Sequence, residues 1–199
     1  MSTTATKGTP RGFDPVAIGR LACDAWAAYY RREWWPFLRA AVGMVDAGFG
    51  MGRRRTLLGA WHVLRANQVW APYPDNDPDA AREQMRRFYA LVAARGYPLL
   101  DPARAAALEV EWWRVHREHQ HAADLTEEDL TSALVALYAY VYQVPPDRVR
   151  EAARLRMLAM DASDRWVAAG CDRADPLLAQ ERRQLVASYT ALRDAVDRS

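Results

Sequence analysis

The dipeptide Asp-Pro occurs four times in the 199 residues, at 14–15, 77–78, 101–102 and 175–176. An aspartate side chain accepts from the free N–H groups that begin a helix. Proline at the first helical position has its φ preset and no N–H to lose. Deeper inside a helix the same proline removes a donor and clashes with the preceding turn. Each Asp-Pro therefore reads as the start of one helix and a stop for whatever came before. Two further signals complete the punctuation. Thr126-Glu127-Glu128-Asp129 supplies a polar cap and an acidic first turn, and Pro145-Pro146-Asp147 restarts the chain.

These marks predict a first helix from Pro15 to about Met44, which Pro36 must kink or split, ended by GFGMG at 48–52. A second spans 53–70 and stops before APYPDNDP, a turn rich in proline and Asx residues. A third runs near 78–95 and closes at Gly96. The fourth opens at Pro102 and carries EVEWWRVHREHQH, residues 109–121, with three of the four histidines. The fifth ends near Val144, the sixth near Ala169, and the seventh runs from Pro176 almost to the end. Strand alternation and internal repeats are absent. The expectation is an all-α, compact single-domain bundle of about seven helices over 13–199. It follows a disordered tail, MSTTATKGTPRG, at 1–12.

Composition narrows the function. Half the residues are hydrophobic, enough for a substantial core. Twenty-seven bases against twenty-five acids leave a net charge of +2, which argues against a dedicated nucleic-acid binder. Residues 14–47 read as a long aromatic helix rather than a helix-turn-helix. The chain is arginine-rich and tryptophan-rich: Lys7 is its one lysine, and it has eight tryptophans. Cys23 and Cys171 form no C-x-x-C pair and no secretory signal is present, so a reduced, cytoplasmic setting is expected. No apolar run approaches the ~18 residues of a membrane span.

A step of about 100° per residue sorts side chains around each helix. On the fourth helix Ala105, Leu108, Trp112 and Val115 share a face with Glu109, His116 and His119, while Arg114, Arg117 and His121 point away. On the first, Glu33 falls amid Cys23, Trp26, Tyr30 and Phe37. On the second, Leu57, Trp61 and Leu64 share their arc with Arg65, Asn67 and Gln68. On the sixth, Arg156 and Asp164 interrupt Val149, Ala153, Met160 and Val167. Charges on faces meant for burial must pair, bind something or line a wet cavity. The implied object is a polar pocket walled by tryptophan and tyrosine, suited to a small ligand with an apolar body and an anionic or hydrogen-bonding head. Glu33, Glu109, His116 and His119 are the candidate acid/base or orienting residues. Tyr30, Trp61, Arg65, Gln68, Trp112 and Arg156 are the candidate ligand contacts. A structural reading stands beside this one, with Glu33 or Glu109 simply paired to Arg65 or Arg156.

Other motifs constrain less. His116 and His119 are helix neighbours, but Glu109 lies two turns, about 10.8 Å, behind His116 and cannot share their ion. The di-iron carboxylate pattern needs two E-x-x-H pairs, and Glu118–His121 is the single instance. No metal ligand set or cofactor is assigned, and a metal-dependent oxidase or oxygenase stands as a third reading. GFGMGRRR at 48–55 fits no phosphate-loop pattern, and PYPDNDPD at 72–79 lacks calcium-loop spacing. A second class of function is protein interaction or homo-oligomerisation, through an exposed Trp35 near Arg31, Arg32 and Arg39.

Overall fold

A computed structural model of the chain describes Pro10, residues 12–121 and residues 125–198. Most of the expected tail at 1–12 lies outside the described residues; within it, Pro10 is buried. The described residues form eight helices and no strand: α1 (Pro15–Tyr30), α2 (Trp34–Phe49), α3 (Arg53–Trp70), α4 (Pro78–Ala93), α5 (Pro102–His121), α6 (Glu127–Tyr142), α7 (Pro146–Ala168) and α8 (Pro176–Asp197). None of them is long and apolar enough to cross a membrane.

All four Asp-Pro pairs open helices. Asp14 Oδ1 accepts from the amides of Val16 and Ala17, and Asp77 Oδ1 accepts from Ala80. Asp101 accepts from Ala103, and Asp175 from Leu177, at 3.0 and 2.8 Å. Each such cap contributes about 1 kcal/mol. Thr126 and Asp129 form a reciprocal capping box at the start of α6.

The extra helix comes from the first segment, which is split rather than kinked. The break falls at Arg31–Glu33, where Arg32 adopts a left-handed φ of 59°. Pro36 sits three residues into α2, in the first turn, where a missing N–H has no intrahelical partner to lose. The chain therefore turns one helical turn ahead of the proline.

Each helix packs against its neighbours in sequence, and α8 returns onto α1, so the eight close into a ring. The α7–α8 seam is the fullest and the α2–α3 seam the thinnest. Small residues allow the closure: α1 buries Gly19, Ala22, Ala25, Ala27 and Ala28. A Cβ on Gly19 would lie 2.7 Å from the backbone N and Cα of Val186 in α8. Between α1, α7 and α8 lies a compact cluster around Trp166, whose indole donates to the Asp172 carbonyl at 2.7 Å. A larger apolar core fills the rest of the ring.

Candidate functional site

All eight helices reach a cavity of about 170 Å³ at the centre of the ring. Its wall is apolar and aromatic, from Ile18 of α1 and Phe49 of α2 round to Tyr138 and Tyr142 of α6. Two charged side chains line it, Glu109 from α5 and Arg156 from α7. A wider depression beside Arg148, Ala195 and Arg198 has no aromatic wall.

Helix spacing builds the Glu109 corner. Trp112 and Trp113 follow it at i+3 and i+4, and side chains lean back toward the helix N-terminus, so both indoles return to one carboxylate. Trp112 and Trp113 donate to Oε1 at 3.0 and 3.2 Å. From α4, the Tyr89 hydroxyl donates to Oε2 at 2.7 Å. Burial pushes the Glu109 carboxyl above the usual range, against the pull of the Tyr89 and Trp112 bonds and the Arg156 charge. Burial and the neighbouring Glu109 together hold the Tyr89 phenol well above its ordinary value.

Arg156 is buried on the inner face of α7. Its Nη1 donates to the Tyr189 hydroxyl of α8 at 3.1 Å. Its Cζ lies 6.0 Å from the Trp112 ring and 5.8 Å from the Tyr189 ring, within cation–π range. Burial alone would lower its pKa, but Tyr189, Tyr138, Glu109 and Glu181 raise it on balance. It therefore keeps its charge in an apolar setting.

Of the ten residues singled out from the sequence, the cavity gathers Glu109, Trp112 and Arg156. Glu33 lies outside it, on the surface, paired with Arg31 and Arg173. Those two guanidiniums hold its carboxyl below the usual range, with the Arg173 bond the larger influence. The break at Arg32 resets the helix phase just before Glu33, which removes it from the α1 face. Tyr30 ends α1 at the surface, stacked on Trp26.

The α3 face is also corrected. Thr56, Gly59, Ala60, Ala66 and Trp70 point inward, so Leu57 and Trp61 face solvent, Trp61 with 55% exposure. Arg65 and Gln68 lie outside and bond each other at 2.7 Å. The small-residue stripe, not the bulky one, meets the bundle: Gly59 lies close against Met51 and Phe88.

His116 faces α7 instead of the cavity, its Nε2 3.0 Å from Asp164. His119 meets the Leu125 carbonyl at 2.8 Å through Nδ1. The two histidines thus serve separate partners. Among the described residues no group of three His, Cys, Asp or Glu side chains could hold a metal ion.

Sequence reasoning missed Tyr89, Trp113, Tyr138, Tyr142 and Tyr189, all of which line the cavity. Trp113 was within reach, because i+4 from Glu109 is as near as i+3. The tyrosines come from other helices, and no local spacing announces them. No family model matches the chain, and no curated protein or solved structure shows significant similarity to it.

Proposed function

We propose that the protein binds a small organic molecule in the central cavity, with an apolar body among the rings and a polar head toward Arg156 and Glu109. One observation carries the reading: a cavity of about 170 Å³ to which every helix contributes, apolar and aromatic, with a single acid and a single guanidinium among the described residues that line it. Dry cavities of ~150 Å³ accept benzene, so the volume suits a body of about one ring. The Glu109 oxygens already serve three donors, which favours an orienting role over proton transfer. Unpaired Cys23 and Cys171 support a reduced, cytoplasmic setting.

Trp112 and Trp113 stand in the wall and report occupancy. Titration with indole or toluene is expected to change intrinsic fluorescence saturably and to raise the melting temperature. A folded Leu134→Trp variant, which fills the cavity, should abolish both responses. Unchanged binding by that variant would refute the reading.

A second reading, self-association, is favoured by α2. Trp35 is 80% exposed, and Trp34 and Leu38 are exposed beside it. Such a patch suits a second copy of the chain. Native mass spectrometry at tens of micromolar should show an oligomer that Trp35→Glu dissociates. A monomer before and after substitution would exclude it.

A further inference from the structure

We infer that the cavity selects a monocarboxylate, its carboxylate seated on Arg156 and Tyr189 and its body no larger than about one ring. This rests on the proposal that the cavity binds a ligand.

Arg156 is 9% exposed and carries five N–H donors. Among the described residues it makes one hydrogen bond, to Tyr189, and no ion pair. Two carboxylates influence it through space, Glu109 and Glu181. Neither reaches it. Glu109 is occupied by Tyr89, Trp112 and Trp113, and Glu181 keeps Oε2 buried without a hydrogen-bond partner. A buried cation so under-satisfied calls for a counter-charge, and a guanidinium fork matches a carboxylate in bidentate fashion.

Tyr189 adds to the match. Its oxygen accepts from Arg156, so its own proton remains to be donated. Guanidinium and phenol together offer donors to one planar anion, with the Trp112 ring beside them. The charge on offer sets the class. One cation, with Glu109 lining the same cavity, suits a single negative charge and disfavours a phosphate dianion. An amine would meet the repulsion of Arg156 and would find the Glu109 oxygens already serving three donors. The cavity of about 170 Å³ suits a body of a phenyl ring or a short aliphatic chain.

The test is calorimetric titration of the full chain at pH 7.5 with phenylacetate, phenylacetamide, phenethylamine and toluene. Phenylacetate is expected to bind at least about tenfold more tightly than the amide, and the amine most weakly. Arg156→Met should erase the preference for acid over amide while toluene still binds. Tyr189→Phe, a milder change should the first variant fail to fold, should weaken phenylacetate severalfold and leave the amide nearly unaffected. Equal affinity for acid and amide, or a preference for the amine, would overturn the carboxylate assignment and leave the cavity reading intact. Absence of binding by all four compounds would overturn both.

Discussion

Where α1 meets α8, one added methyl group at Gly19 would press on the Val186 backbone; on α3, beside its thin seam with α2, Leu57, Leu58 and Trp61 face solvent. The two seams belong to the same ring and border the same cavity. One is closed by small residues brought backbone to backbone, which leaves no slack for repacking. Along its whole length α2 buries only Ala40, Val45 and Gly48, and Thr56 ties α3 to Asp46 of α2 by a hydrogen bond of 3.2 Å. Local opening is easiest where few apolar contacts are lost. Since α2 also supplies Met44, Val45, Gly48 and Phe49 to the cavity wall, the thin seam borders the interior directly. The ring thus divides labour between a side that holds shape and a side that yields.

The most damaging way to break this contrast is Gly19→Leu. The new side chain has no space between α1 and α8, and a loss above about 4 kcal/mol, or failure to fold, is expected in urea denaturation. A fully stable variant would show that the closed seam has slack after all.

Glu181 sharpens the comparison from inside the rigid side. It is 2% exposed, near Cys23 of α1, Ser163 and Asp164 of α7, and Arg182 of its own helix. Burial pushes its carboxyl from 4.5 up to about 7, despite the opposing pull of Arg156 and a hydrogen bond from Ser163. Between those values the folded chain holds a proton that the unfolded chain releases. The stability from this group is therefore complete below pH 4.5 and is lost as pH rises through about 7. Glu181→Gln removes the burden of ionisation. The variant should exceed the wild type by on the order of 3 kcal/mol at pH 8, with the gap closing below pH 4.5. A pH-independent difference in melting temperature would contradict the assignment.

The smallest effect is expected at the loose seam. Leu57→Gln should change unfolding free energy by less than about 0.5 kcal/mol, because its side chain already faces water. A loss near that of a core leucine would mean that the exposed face is covered in solution.

Much of this architecture was legible from local chemistry. Asp-Pro caps at α1, α4, α5 and α8 anchor both the starts and the phases of those helices, and Glu109 and Trp112 on α5 were located accordingly. Pro145-Pro146 does the same for α7, and Arg156 faces the cavity as its phase predicts. Phase fails on α3, and it drifts toward the C-terminal ends of capped helices, where Tyr30 of α1 and His116 and His119 of α5 miss the cavity. α3 begins after Gly52 with no side-chain cap, and its bulky stripe of Leu57, Trp61 and Leu64 outweighs the smaller residues in any periodicity argument. Trp61, Arg65 and Gln68 were misplaced for that reason. The left-handed turn at Arg32 has no glycine to announce it, which misplaced Glu33. Partners such as Tyr89 for Glu109 and Tyr189 for Arg156 arise only when helices meet, so spacing within one helix cannot reveal them.

The closed ring also bears on how the chain folds. Seven of its eight seams join helices adjacent in sequence, so each new helix can dock on the one before it with only a short loop to close. The eighth, α1 on α8, joins the two ends of the chain, with Arg193 donating to the Phe13 carbonyl at 2.9 Å. The largest loop closure falls on that seam. The close approach of Gly19 to the Val186 backbone therefore sits at the seam that must bring the first and last helices together.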